Sequence, residues 1–133
     1  MARLPEPELD STNSEWWHAT SRGVLLIQMC NECGNHQHYP RPFCIGCGSS
    51  SLSWTEASGL GTIQSWTLIR RAPYEDLKAP YVLALIDLDE NVRLLTHLVG
   101  CGSDQIVCEA QVELRWIKAP GANLFQLPVF TIR

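Results

Sequence analysis

A chain of 133 residues with 10 basic and 14 acidic side chains, formal net charge −4, has room for one ordinary domain, or for a small metal module joined to a second module of about 80 residues. Hydrophobic residues make up 45% and charged residues 18%, a globular composition, and no apolar run approaches the ~20 residues needed to cross a bilayer. The basic residues are scattered, with Arg70-Arg71 the only adjacent pair, so no stripe suited to neutralising a phosphate backbone is present and a nucleic-acid binder is disfavoured.

Residues 1–9 carry two prolines and lack the apolar core of a signal peptide, so they read as an extended arm, and a cytoplasmic protein with reduced thiols is expected. Thr12-Asn13-Ser14-Glu15 has the spacing of a capping box, which predicts a short helix from Asn13 to Ser21 ended by Gly23. That helix carries Trp16 and Trp17 side by side, and adjacent helical positions point about 100° apart. One indole packing on its own domain while the other meets a partner, and both being buried within the chain, carry equal weight.

Gly23 to Gln28 is a β-type run leading into Cys30-Asn31-Glu32-Cys33-Gly34, and Tyr39 to Phe43 leads into Cys44-Ile45-Gly46-Cys47-Gly48. Two residues between each pair of cysteines let both sulfurs face one point, and the glycine that follows permits a left-handed turn. Four thiolates leave no position open for water, so Cys30, Cys33, Cys44 and Cys47 are expected to hold a structural zinc, taking the net charge to about −6. Iron can occupy the same ligand set, and each pair considered alone is also compatible with a disulfide or redox role, although no thioredoxin-like pattern surrounds them. His36 and His38, between the knuckles, read as exposed loop histidines because four cysteines already complete a tetrahedron. Arg41, held between Pro40 and Pro42, faces outward, either toward a carboxylate or phosphate or toward Glu15 or Glu32. Cys101 and Cys108 read as small apolar fillers.

Beyond Ser51, strands alternate with turn signals: Leu52 to Ala57, Gly61 to Arg71, Tyr81 to Leu88, Val92 to Val99, Gln111 to Ile117 and Leu124 to Ile132. Tyr81 to Ile86 is apolar at both parities and should be covered on both faces, whereas Gln111 to Trp116 alternates as a strand with one wet face does. Asp89-Glu90-Asn91 predicts a hairpin, and Gly59 and Gly61 bracket a bend. The proline-bracketed segment Ala72 to Pro80, holding Tyr74 and Leu77, is a candidate contact loop. Five or six strands in this length favour a small Greek-key barrel of the OB type. The expected organisation is an arm and helix over 1–22, a zinc ribbon over 23–50 and an OB-fold over 51–133, mainly β throughout.

The order of motifs resembles a known family. Trp16-Trp17, Gly23 to Gly34, Pro40 to Ser49, Ser58 to Ile63, Pro80 to Val82 and Arg93 to Thr96 together are similar to the acyl-CoA-associated proteins that join a rubredoxin-like zinc ribbon to an OB-fold. The resemblance covers nearly the whole chain. It implies a non-catalytic accessory subunit of a thiolase-like enzyme, a thiolase proper or a lipid-transfer-type retro-aldolase, acting on acyl-CoA substrates that include steroid side-chain esters. It also implies a heterotetramer on a dimeric partner and contact with a CoA ester through the complex, although no CoA fingerprint is readable.

The residues agree that catalysis does not reside here. No Ser, His and acid form a nucleophile motif, the metal site is closed to substrate, and His18 and His97 stand alone. Trp16, Trp17, Arg41 and Tyr74 are the candidate partner-interface residues. Two other readings are carried alongside. One is an OB-fold single-stranded nucleic-acid binder stacking bases on Trp66, Tyr74 and Tyr81, which the acidic balance opposes. The other is a rubredoxin-like electron carrier, which requires iron.

Overall fold

The strand signals resolve into two sheets joined by one apolar core. The computed structural model describes residues 5–119 and 125–133. It begins with helix α1 (Ser14–Ser21), followed by β1 (Leu26–Cys30), β2 (His36–Gln37) and β3 (Leu52–Glu56) of the ribbon. The barrel strands are β4 (Leu60–Ile69), β5 (Tyr81–Leu88), β6 (Arg93–Leu98), β7 (Gln111–Lys118) and β8 (Gln126–Ile132). The expected last strand reached back to Leu124, which lies outside the described residues.

Helix α1 starts at Ser14, and Asn13 occupies the cap position without a side-chain cap bond, so the capping box expected from Thr12 and Glu15 does not form. Asp10 outcompetes it: its Oδ1 accepts from the amides of Thr12 and Asn13, both at 2.8 Å, while Asn13 Oδ1 accepts the Asp10 amide at 2.9 Å. A short aspartate turning the chain on itself satisfies these donors before Thr12 can reach forward.

The strand expected over Leu52 to Ala57 belongs to the ribbon sheet. β3 pairs antiparallel with β1 from Leu26↔Glu56 to Cys30↔Leu52, and the sheet order is β2-β1-β3. β1 is the central strand: β2 covers only Gln28 and Met29 on one edge, and the other edge finds its backbone partners in β3 over its full length.

The remaining five strands close into a barrel of order β4-β5-β6-β8-β7, with β4 paired to β7. Along β5 the inward set Val82, Ala84, Ile86 and Leu88 is buried, while Leu83 and Leu85 on the other face are half-buried, so cover on that side is partial. The expected hairpin forms between β5 and β6, with the Asn91 amide donating to Leu88 O at 2.9 Å and Asn91 at φ 64°. Gly61 is required by close approach, because a Cβ there would meet the Asp87 carbonyl oxygen at 2.5 Å. Ile63, Ile86, Val112 and Phe130 are fully buried at the barrel centre. Trp16, Leu25 and Ile27 belong to the same cluster, which ties helix and ribbon to the barrel.

Three expectations about single residues, Cys108, His38 and His36, are corrected here. Cys108 is exposed rather than a buried filler, while Cys101 is partly buried against the core as expected. His38 is no exposed loop histidine: its ring centroid lies 5.8 Å from that of Trp16 and its Nδ1 is buried, because the helix packs down on this segment. His36 opens β2 opposite Met29 and is half-buried.

Candidate metal centre and adjoining cleft

The two knuckles are built on one plan repeated fourteen residues apart. Gly34 and Gly48, at φ 76° and 80°, donate their amides to Cys30 O and Cys44 O, each at 2.9 Å. The amides of Cys30 and Cys44 donate in turn to Asn35 O and Ser49 O, each at 2.8 Å. Each turn therefore closes over its first cysteine, which is buried, and presents its second, Cys33 or Cys47, at the surface.

All four sulfurs lie within 4.8 Å of one another, with Cys30 Sγ to Cys47 Sγ and Cys33 Sγ to Cys44 Sγ both at 3.6 Å. A tetrahedron of thiolates about 2.3 Å from zinc has sulfur–sulfur edges of about 3.8 Å, so the donor set fits that ion. The backbone N–H of Cys33 pulls the Cys30 thiol below its ordinary value, and the N–H groups of Cys47 and Gly46 pull Cys44 down to about 6. Cys33 and Cys47 go the other way. Despite the amides of Asn35 and Ser49, desolvation and neighbouring sulfurs raise Cys33 and push Cys47 up to about 12. Four sulfurs this close resist carrying four charges alone, and a divalent cation removes that resistance.

A pair of glutamines that the sequence reading missed fixes the chain between the knuckles. Gln28 Oε1 accepts the Arg41 amide at 2.8 Å, Gln28 Nε2 donates to Arg41 O at 2.9 Å, and Gln37 Oε1 accepts the Ile45 amide at 3.0 Å. Both are buried, at 6% and 3% exposure. A glutamine at an inward position of the β-type run before the first knuckle was the available signal. Arg41 is thus pinned by its backbone while its guanidinium makes no ion pair with Glu15 or Glu32 among the described residues.

Trp16 is 8% exposed, and its ring meets Trp17 edge-on at 4.8 Å; Trp17 is half-buried, 5.8 Å from Phe125. Beside them a cleft of about 370 Å³ opens between helix, ribbon and barrel, lined by Trp17, His38, Tyr39, Leu77, Leu95 and His97 among others. A crevice of about 250 Å³ continues it, sharing Trp16, Trp17, His38 and Tyr39. A third, of about 210 Å³, holds Arg41 with Ser11, Thr12, Ser53 and Trp54, and shares the lining residue Thr12 with the second. Burial, and secondarily the Arg41 charge, lowers the His38 pKa to about 4, so this ring is neutral. Neither His38 Nδ1 nor Trp16 Nε1 has a hydrogen-bond partner among the described residues.

The structure therefore brings Trp16 and Trp17 to one cleft with Leu77 of the 72–80 loop and stands Arg41 in the third hollow. Tyr74 is half-buried in that loop, its carbonyl accepting the Leu77 amide at 3.2 Å, and lines none of the three hollows. The residues considered for base stacking are otherwise engaged: Tyr81 stacks on His97 at 4.8 Å, and Trp66 packs against the core. His18 lies 6.0 Å from Phe125.

Comparison with known proteins agrees with this geometry. The family described as the rubredoxin-like zinc ribbon domain of ChsH2 matches residues 17–53, and that described as the C-terminal OB-fold domain of ChsH2 matches residues 54–116. The probable enoyl-CoA hydratase alpha subunit of Thermomonospora curvata is 36% identical over 129 residues, covering 97% of this chain. The chain spans only 40% of that relative's length. A DUF35 domain-containing scaffold protein of Methanothermobacter thermautotrophicus is 32% identical, with 80% of this chain and 81% of that protein covered. Among solved structures, a chain of the Ltp2-ChsH2(DUF35) aldolase superposes with a TM-score of 0.86 at 35% identity, covering 96% of this chain and 98% of that one. With both halves matched and a DUF35 scaffold protein 32% identical over 81% of its length, the chain belongs to the DUF35 family, in which a rubredoxin-like zinc ribbon is joined to an OB-fold.

Proposed function

We propose that this chain is a non-catalytic subunit that binds and supports a thiolase-like enzyme, a thiolase or a retro-aldolase, acting on acyl-CoA substrates. The observation that carries the reading is the near-complete match to the DUF35 chain of an aldolase assembly, at 35% identity and a TM-score of 0.86. The names of other relatives, a scaffold protein, a benzoylsuccinyl-CoA thiolase subunit and a hydratase alpha subunit acting on a pregnadiene-carboxyl-CoA, point the same way. In this reading Cys30, Cys33, Cys44 and Cys47 hold a structural zinc that shapes the ribbon, and catalysis rests with the partner. Trp17 and Arg41 belong to the docking face, and Trp16 supports it from beneath. The complex is a heterotetramer on a dimeric partner, the CoA ester is met through that complex, and lipid or steroid side-chain metabolism in the cytoplasm is its setting. No helix among the described residues is long and apolar enough to cross a membrane.

The test is affinity capture of the tagged chain from its native cells, with partner identification and metal analysis of the eluate. Recovery of a thiolase-like subunit in stoichiometric amount with one zinc per chain supports the reading. Recovery of nucleic acid, or of iron without such a partner, overturns it in favour of a nucleic-acid binder or an electron carrier.

A further inference from the structure

The barrel wall is most sparsely paired between β6 and β8, where it faces the cleft. β5 and β6 pair at six positions from Val82↔Leu98 to Asp87↔Arg93, but β6 meets β8 in register only at Leu98↔Phe130. Beyond that contact the two strands share no further register pair, and Leu94 to His97 and Leu127 to Val129 line the cleft, bridged by Thr96 Oγ1 donating to Pro128 O at 2.7 Å. The backbone ladder does not continue there, because Pro128 has no N–H and its carbonyl is taken by the Thr96 side chain rather than by a β6 amide.

The phase of the hairpin decides which backbone groups of β6 face the β8 side. The Leu88 amide donates to Val92 O at 2.8 Å, which makes these two a hydrogen-bonded pair; alternation then turns the backbone groups of Leu95 away from β5. Among the described residues the Leu95 amide finds only Tyr39 Oη at 3.4 Å, a long contact. Leu95 and Tyr39 are both 52% exposed, an apolar pair at the rim of an apolar hollow.

The hollow at Arg41 has the opposite character. It is lined by Arg41 and by Ser11, Thr12 and Ser53 with no carboxylate among its lining residues, while the crevice beside the cleft carries Asp10. A helix conceals its own backbone groups and would leave the Leu95 edge unused, whereas a small apolar molecule would leave Arg41 unused. An extended chain uses both: its backbone extends the sheet, alternate side chains enter the cleft, and an acidic residue reaches the cation.

We propose that the β6 edge at Leu95, together with the nearby hollow at Arg41, is the socket for an extended segment of the partner subunit that lies along β6 and places an Asp or Glu on Arg41. The inference rests on the accessory-subunit reading and specifies how the partner is held.

The experiment uses the full chain co-purified with its thiolase-like subunit. A benzophenone amino acid at position 95 should cross-link to one partner peptide that is extended, apolar and bears an Asp or Glu. The Leu95 amide should exchange at least tenfold more slowly in the complex than in the free chain. Leu95→Asp and Arg41→Glu should each weaken binding at least tenfold while retaining zinc and the wild-type circular dichroism, and reversing the partner's acidic residue to Arg should restore Arg41→Glu. Cross-links to a partner helix or to a second copy of this chain overturn the proposal, as does wild-type affinity of both variants; in those cases co-purification still stands and the accessory reading survives. Absence of any thiolase-like partner removes both.

Discussion

Gln37 Nε2 donates to Gln28 Oε1 at 2.8 Å, and this one bond joins two buried amides that between them hold both sides of the loop over the metal knuckles. Gln28 holds Arg41 by its amide and carbonyl, and Gln37 takes the Phe43 carbonyl at 3.1 Å and the Ile45 amide. Arg41 and the second knuckle are therefore placed by the same pair. Gln28→Leu keeps the volume but orphans the Arg41 backbone groups and one Gln37 donor. A loss of about 2 to 3 kcal/mol is expected from leaving such groups unsatisfied, read by denaturant unfolding of the zinc-loaded chain. An unchanged midpoint would show that water replaces the amide at no net cost.

Removal of the metal is expected to act on the ribbon alone. Structural zinc sites are worth on the order of 10 kcal/mol of coupled folding free energy, and β2 is too short to persist without the knuckles that flank it. In Cys44→Ser, or after chelation, amides of β1 to β3 should lose exchange protection while β4 to β8 retain theirs. One zinc per chain should be lost, and cobalt reconstitution of the wild type should show a tetrahedral tetrathiolate spectrum. Simultaneous loss of protection in the barrel would mean that the shared core through Trp16 and Ile27 makes the two sheets one cooperative unit.

The four-cysteine cluster was legible in the sequence because a knuckle is local chemistry: cysteine spacing and the glycine after it set the geometry within six residues. Barrel strands were legible for a similar reason, since alternation and turn residues act along the chain. What escaped depends on contacts between distant segments. The allegiance of the strand at Leu52–Glu56 is decided by the unpaired edge of β1, and Asp10 displaced the capping box through a competing turn that lies just outside the motif. His38 reads as a loop residue until Trp16 covers it, and the cleft forms only where residues of helix, ribbon and barrel come together.

The two indoles should separate cleanly under mutation. Trp16 is in the core at 8% exposure, so Trp16→Ala should cost about 3 to 5 kcal/mol of stability by opening a cavity. Trp17, half-buried at the cleft rim, should cost about 1 to 2 kcal/mol when truncated, by the smaller area it buries. Only Trp17→Ala therefore reports on docking. Its partner affinity, measured by isothermal titration on a chain shown to be folded, should fall at least tenfold if the indole is an anchor. An unchanged affinity would remove Trp17 from the interface.

His38 gives the chain a defined response to acid. Its ordinary pKa near 6.5 falls to about 4 in the fold, through burial first and the Arg41 charge second. The unfolded chain therefore binds a proton more readily than the folded one between these values, so stability rises with pH across that window. The contribution is complete above about pH 6.5 and is lost as pH falls toward 4. Between pH 7 and pH 5 the wild type should lose about 2 kcal/mol on this account, from a shift of 2.5 units at 1.36 kcal/mol each acting over most of its range. His38→Phe keeps an aromatic ring against Trp16 and removes the titration. The difference in unfolding free energy between the two proteins should therefore change by that amount over the interval, with zinc content checked at each pH so that ligand protonation cancels. Parallel stability curves would show that the folded protein accepts the proton by letting water reach Nδ1.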